Sequence, residues 1–193
     1  MKKGMKSLVT ITMIVLVGFL VKAFVAKNYE FLGYWVVLVA LFFFVVKLDE
    51  KFNFPLFSIW LFAIWAMLHM AGGLIKIGTT RLYDLILIPI LEDPYFILKY
   101  DQLIHAYCYV AISILVYFIL KKYVINKKAL FTISVVVAFG IGALNEIIEF
   151  GMVIFADAAA AVGGYYNNAL DLVFNLIGAV IGSLFAGKLI IKR

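Results

Sequence analysis

The sequence predicts an all-α fold: a polytopic integral membrane helix bundle with six transmembrane helices and both termini cytoplasmic. Composition is the first observation behind this expectation. Of 193 residues, 66% are hydrophobic and only 15% are charged, against about 25% charged in soluble proteins. The second is that the apolar residues collect into six runs, each near the roughly 20 residues that cross a hydrocarbon core as a helix. The third is that Lys and Arg gather on alternate connections, the asymmetry that marks cytoplasmic loops. Lipid offers backbone N–H and C=O groups no partner, and no segment alternates like a barrel strand, so the spans are helical.

The runs form a single transmembrane domain over residues 1–193, with helices near 7–26, 31–48, 55–75, 100–120, 129–155 and 169–191. The first follows Lys2, Lys3 and Lys6, as a signal peptide would, but its apolar core exceeds the usual 7 to about 15 residues of a signal, so a retained span is expected. Between the third and fourth runs lies the longest connection. Its apolar core, Leu85 to Leu91, is too short to span and is broken by Pro89, while Tyr83, Tyr95 and Tyr100 suit an interface. A short interfacial or re-entrant segment near 78–99, on the outer side, is the expectation. Asp157 to Asn168, with Gly163, Gly164, Tyr165 and Tyr166, reads as a second outer loop. Gly178 and Gly182 form a GxxxG on the sixth run, and Gly140 and Gly142 lie on the fifth, where small residues let helices approach.

Orientation follows from the bases. Lys2, Lys3, Lys6, Lys47, Lys51, Lys121, Lys122, Lys127, Lys128, Lys188, Lys192 and Arg193 are twelve bases on one side, against Lys22, Lys27, Lys76, Arg81 and Lys99 on the other. The richer side is cytoplasmic by the positive-inside rule. Because the bases flank apolar spans, the net charge of +6 reflects orientation and not nucleic-acid binding. The single cysteine, Cys108, lies in an apolar run, excludes an intramolecular disulfide, and reads as a small buried hydrophobe.

Against this background the polar residues inside the spans stand out. His69, Asp101, His105, Asn145, Glu146, Glu149, Asp171 and Asn175 all fall in the outer half of the membrane once the spans are oriented. An ionised group at bilayer depth costs about 2.5 to 3.5 kcal/mol even on the lenient insertion scale, so something must bind, pair or protonate these groups. Asp101 with His105, Glu146 with Glu149, and Asp171 with Asn175 are spaced three or four apart, which puts each pair on one helix face. Three polar stripes on successive helices are expected to converge, since such stripes turn to one another and not to lipid.

The chemistry of the set leaves several roles open. Two carboxylates one turn apart in a low-dielectric site share a proton, pair with a cation, or hold a metal. Imidazole plus carboxylates suits a divalent ion such as zinc, manganese or iron, so His105, Glu146 and Glu149 are the candidate metal ligands. Glu146, Glu149, His105 and Asp101 are the candidate catalytic residues, with His69, Asp171, Asn175 and Asn145 lining a substrate site. Residue by residue there are plainer readings. His69 before Gly72 and Gly73 reads as a packing histidine, and Asp101 and Asp171 at helix starts can cap free N–H groups. Glu146 and Glu149 lie away from a helix end and cap nothing.

The elements HMAGG (His69 to Gly73), RLYD (Arg81 to Asp84), YDQLIH (Tyr100 to His105), NEIIEF (Asn145 to Phe150) and YYNNALDLVFNLIGAVIG (Tyr165 to Gly182) resemble the YjdF-like family of small bacterial and archaeal membrane proteins. More distantly, the order Asp-x-x-x-His, a glutamate helix, then Asp-x-x-x-Asn-x-x-Gly is similar to the VanZ-like family, associated with glycopeptide-antibiotic resistance. The chain departs from that second pattern in carrying Glu149 where glutamine is usual and in lacking the arginine before the last helix, so resistance is not carried over. The resemblance implies a multi-pass protein of a prokaryotic plasma membrane and supplies no mechanism. The functional expectation is therefore a polar pocket, metal-assisted, acting on a lipid-linked or other hydrophobic envelope substrate among membrane lipids. A small-solute or ion-coupled carrier and a non-catalytic membrane scaffold are the alternatives.

Overall fold

The computed structural model describes residues 2–91, 93, 95–156 and 164–191. Six helices make up most of them: α1 (Met5–Val25), α2 (Tyr29–Phe52), α3 (Leu56–Leu74), α4 (Tyr100–Leu120), α5 (Lys127–Ala156) and α6 (Tyr165–Ile191). All six are long and apolar enough to cross a membrane, so the all-α membrane fold expected from the sequence holds. The differences are at the ends. Winding of α2 continues past its apolar run through Asp49, Glu50 and Lys51 to Asn53, whose left-handed φ of 51° ends the helix. At its start the Asn28 side chain accepts the Phe31 N–H at 3.1 Å, an N-cap that a hydropathy profile cannot register.

By its contacts the chain divides into two compact units, one ending at Leu85 and the other starting at Ile86. In the first, α1, α2 and α3 pack pairwise around Leu16, Ala23, Phe31, Leu38, Ala66, Met70 and Leu74. Two polar ties fasten the apolar contacts. Trp35 donates its indole N–H to the Leu16 carbonyl at 2.7 Å, joining α2 to α1. Lys2 donates to the carboxylate of the buried Asp49 and to the Phe54 carbonyl, so this charge is paired where α2 ends. After α3 comes a hairpin of β1 (Lys76–Ile77) and β2 (Thr80–Arg81), which leaves a two-residue turn. Gly78, at φ 62°, occupies the first turn position, where a positive φ is needed. A 3₁₀ turn, Leu82–Asp84, follows.

The second unit opens with a non-helical segment in which Ile86 bridges Lys99 and the Leu87 N–H donates to the Leu98 carbonyl at 2.9 Å. Then α4, α5 and α6 pack mutually, with α4 and α6 the most extensive pair. The buried residues of α6 include Asp171, Asn175, Ala179, Ser183 and Ala186, and those of α5 include Leu130, Ser134, Ala138 and Glu146. Helical spacing puts each set on one face. These faces mix polar and small residues, while the opposite faces are greasy. Glu146 is 6% exposed, whereas Ile147 and Ile148, which follow it, are 64% and 63% exposed. That inverts the pattern of a soluble helix and fits a helix turned outward to lipid.

The α4–α6 seam is built on glycine. A Cβ at Gly178 would overlap the Ala106 carbonyl, and one at Gly182 would overlap Ser113 Oγ and the Val110 carbonyl. The GxxxG therefore does the packing work expected of it. The expected outer loop at Asp157–Asn168 lies in part outside the described residues, at 157–163; its last part, Tyr165 to Asn168, is already helix. The apolar run begins at Ala169, but the backbone starts winding a turn earlier, where the Asn168 N–H reaches the Gly164 carbonyl at 3.2 Å.

Gly178→Ala should lower the thermal unfolding midpoint in detergent, by the equivalent of about 1–3 kcal/mol for an overpacked contact. Gly140→Ala, where a Cβ meets nothing within 4 Å, should leave the midpoint where it is. Equal behaviour of the two variants would show that this seam is not close-packed.

Candidate functional site

The site forms where the first turns of α4 and α6 meet the second half of α5. Entry to α4 is held by Gln102, which is fully buried. Its Oε1 accepts the Leu98 N–H at 2.7 Å and the Lys99 N–H at 3.1 Å, and its Nε2 donates to the Phe96 carbonyl at 3.3 Å. Phe96 and Leu98 have φ of 47° and 72°, a left-handed conformation that non-glycine residues seldom adopt. The amide of Gln102 holds that strained approach in place. With Gln102 on the free N–H groups, the Asp101 carboxylate turns to another partner.

That partner is Asn167, which Nδ2 places between two carboxylates: it donates to Asp171 Oδ2 at 2.7 Å and to Asp101 Oδ2 at 3.3 Å. Capping and the helix dipole were the plain reading of both aspartates: Asp101 does lie in the first turn of α4, where a carboxylate suits the dipole, and Asp171 does not follow it. Asp171 lies six residues into α6, because the helix starts at Tyr165, and it is 1% exposed. Asn167 was expected in a loop and was missed. The signal that could have found it is its spacing, since Asn167, Asp171 and Asn175 recur every four residues as a single stripe.

His105 stands between the three helices. Its Nδ1 lies 3.0 Å from Asn175 Oδ1 and 3.6 Å from Glu146 Oε1, and its Nε2 lies 3.7 Å from Asp101 Oδ1. Asn175 is fully buried and also donates from Nδ2 to Glu146 Oε1 at 3.3 Å. A carboxylate can only accept, so the amide N–H₂ faces Glu146 and the amide oxygen takes the imidazole proton. This arrangement puts the proton of neutral His105 on Nδ1 and leaves the Nε2 lone pair toward Asp101. Room for Asn175 comes from Gly142, where a Cβ would sit 3.0 Å from Asn175 Nδ2 and 3.1 Å from the Tyr109 ring. On α5, Asn145 donates to Glu149 Oε1 at 2.7 Å.

Asp101, His105, Asn145, Glu146, Glu149, Asp171 and Asn175 are thus held in one linked cluster. His69 belongs to the first unit. Its ring packs against Tyr34, Tyr83, Trp65 and Phe31, with centroids 5.3, 5.7, 5.8 and 6.2 Å away, and its carbonyl accepts the Tyr83 hydroxyl at 3.0 Å. A Cβ at Gly72 would run into the Tyr83 ring and one at Gly73 into the Phe31 ring. The glycine pair of HMAGG therefore seats the aromatic rings around the histidine.

Charge is unbalanced in the cluster. Four carboxylates surround one imidazole, and Asp101 and Glu146 both face that same ring, at 3.7 and 3.6 Å. Two carboxylate oxygens, Glu146 Oε2 and Asp171 Oδ1, are buried with no hydrogen-bond partner among the described residues. Two overlapping donor sets follow, each with one atom per residue within 4.8 Å of the others: Asp101, His105 and Asp171, and His105, Glu146 and Glu149. Either has the oxygen and nitrogen donors that divalent transition ions take.

A family model described as a predicted membrane protein (DUF2238) matches residues 7–192. YjdF is a member of that family, in agreement with the YjdF-like resemblance; the likeness to the VanZ-like family gains nothing from the match. No curated protein and no solved structure matches the chain.

Asn175→Leu should destabilise the protein, since it strips a partner from both His105 Nδ1 and Glu146 Oε1, each worth about 1–3 kcal/mol when left buried and unpaired. Chemical or thermal unfolding in detergent measures this. A variant as stable as the parent would mean the amide does not bridge the two groups.

Proposed function

The chain belongs to this family of predicted membrane proteins, and from that premise we propose that it is a metal-assisted intramembrane enzyme acting on a lipid-linked cell-envelope substrate. Its setting is the plasma membrane of a prokaryote, with both termini cytoplasmic and the cluster in the outer half of the bilayer. The observation that carries the proposal is the charge imbalance: four carboxylates against one imidazole, with two buried carboxylate oxygens lacking a partner among the described residues. A divalent cation held by these carboxylates and the imidazole would supply the missing positive charge and could polarise a substrate oxygen or water.

The division of labour follows from the contacts. Glu146 and Glu149 are the general-base pair that takes a proton from water or a substrate hydroxyl as it attacks. His105, hydrogen-bonded through Asn175 to Glu146, couples that base to the Asp101 side. An anionic headgroup suits the rim, where Lys99 Nζ lies 3.4 Å from Asn167 Oδ1. Tyr95 and Tyr166 pack edge to face beside it, 5.2 Å apart, as tyrosines at a membrane interface do.

A purely structural role for the cluster fits less well. Interhelical polar pairs average about 0.6 kcal/mol in a membrane bundle, whereas each buried unpaired oxygen costs about 1–3 kcal/mol. A scaffold with apolar residues at these positions would be the more stable protein.

In a strain lacking the chain, one lipid-linked envelope species should accumulate, and the wild type should clear it. Glu146→Gln should fail to clear it, with the rate down about 10²–10⁴-fold as for a lost general base, while its melting temperature stays near the parent's. Full clearance by Glu146→Gln would remove this carboxylate from the chemistry. Orientation has its own check, in a Cys108→Ala background on intact cells. A membrane-impermeant maleimide should label Lys76→Cys and spare Tyr123→Cys; the reverse pattern would invert the topology.

A further inference from the structure

We propose that the divalent ion is bound by Asp101, His105 Nε2 and Asp171, on the side of the imidazole turned away from Glu146. This rests on the reading that the cluster uses a metal, and it chooses between the two donor sets the cluster offers. It differs from the set expected from the sequence, His105 with Glu146 and Glu149, because helical spacing cannot tell which imidazole nitrogen faces which carboxylate.

Hydrogen bonds already present make the choice. Asn175 Oδ1 at 3.0 Å holds the proton on His105 Nδ1, so Nε2 carries the lone pair. That lone pair faces Asp101 Oδ1 at 3.7 Å, two electron-rich atoms opposed across a gap. The gap is within the span of two ligands each about 2.0–2.2 Å from one ion. Asn167 Nδ2 engages Oδ2 of both aspartates. It thereby leaves Oδ1 of each for another partner, and Asp171 Oδ1 is buried without one among the described residues. A histidine whose second nitrogen donates to an amide oxygen, beside carboxylates that are themselves hydrogen-bonded, is how metal ligands are oriented.

The competing set meets its obstacle at the imidazole, although Glu146 Oε2, like Asp171 Oδ1, is buried without a hydrogen-bond partner among the described residues. An ion on Nδ1 would have to displace the proton that Asn175 Oδ1 accepts, leaving that oxygen facing nothing. Glu146 Oε1 already accepts from Asn175, and Glu149 Oε1 from Asn145. Three ligands on the aspartate side, two oxygens and one nitrogen, suit zinc or manganese and leave positions open for water or an anionic substrate group.

The test is titration of the full-length, metal-stripped protein in detergent with Zn²⁺ or Mn²⁺ alone. One ion per chain should bind. Asp101→Asn and Asp171→Asn should each weaken binding by at least the roughly 10–100-fold that loss of an outer partner costs, and Glu146→Gln and Glu149→Gln should change it by less than about threefold. If the glutamate variants lose the ion and the aspartate variants keep it, the placement is overturned while the metal-assisted reading stands. If the parent binds no ion, both fall. Should an aspartate variant fail to fold, pulsed EPR of Mn²⁺ on the parent protein with ¹⁵N-labelled histidine decides independently. A coupling to one imidazole nitrogen that survives in Glu149→Gln supports the placement, and no nitrogen coupling overturns it.

Discussion

Close approach of α4 and α6 is the constraint on which the second unit depends. In lipid there is no hydrophobic force to draw helices together, so association relies on packing and on hydrogen bonds between them. Gly178 and Gly182 bring the α6 backbone against the carbonyls of Ala106 and Val110. Asn175, Asp171 and Asn167 lie on the same seam, three, seven and eleven residues before Gly178. Glycine contact lower on the seam therefore sets how far Asp171 and Asn175 must reach to meet Asp101 and His105. A side chain at Gly178 would separate the helices and, with them, the cluster.

The first unit uses the same device for another end. Gly72 and Gly73 admit the rings of Tyr83 and Phe31 beside His69, and the outcome is an aromatic enclosure. In the second unit Gly142 admits Asn175, and the outcome is a polar relay from imidazole to carboxylate. Two histidines in similarly apolar helices thus differ by what their neighbouring glycines make room for. One is surrounded by rings, and the other by amides and acids.

Amides are what make the acid cluster orderly. Gln102, Asn145, Asn167 and Asn175 each offer an N–H₂ to a carbonyl or carboxylate, and each thereby selects which oxygen is engaged. The oxygens not selected, Asp171 Oδ1 and Glu146 Oε2, are buried without a hydrogen-bond partner among the described residues. In a low-dielectric interior such fixed dipoles act more strongly than they would in water.

Six apolar helices were legible in the sequence, because the bilayer demands length and hydrophobicity from each segment by itself. So were the polar stripes, since i, i+3 and i, i+4 spacing is a property of one helix. Glu146 and Glu149 could be singled out for the same reason, lying far from any helix end. Asn167 was passed over because it lies before the apolar run, although it continues the four-residue spacing of Asp171 and Asn175, and the earlier start of α6 turns it toward Asp171. The Gly78 hairpin and the Gln102-held approach to α4 were also hidden, as both are set by backbone hydrogen bonds that hydropathy does not register. Which nitrogen of His105 faces Glu146, which faces Asp101, and that His69 sits among rings were decided by tertiary structure alone. Those are facts about contact between segments distant in sequence, and one helix's spacing carries no record of its neighbours.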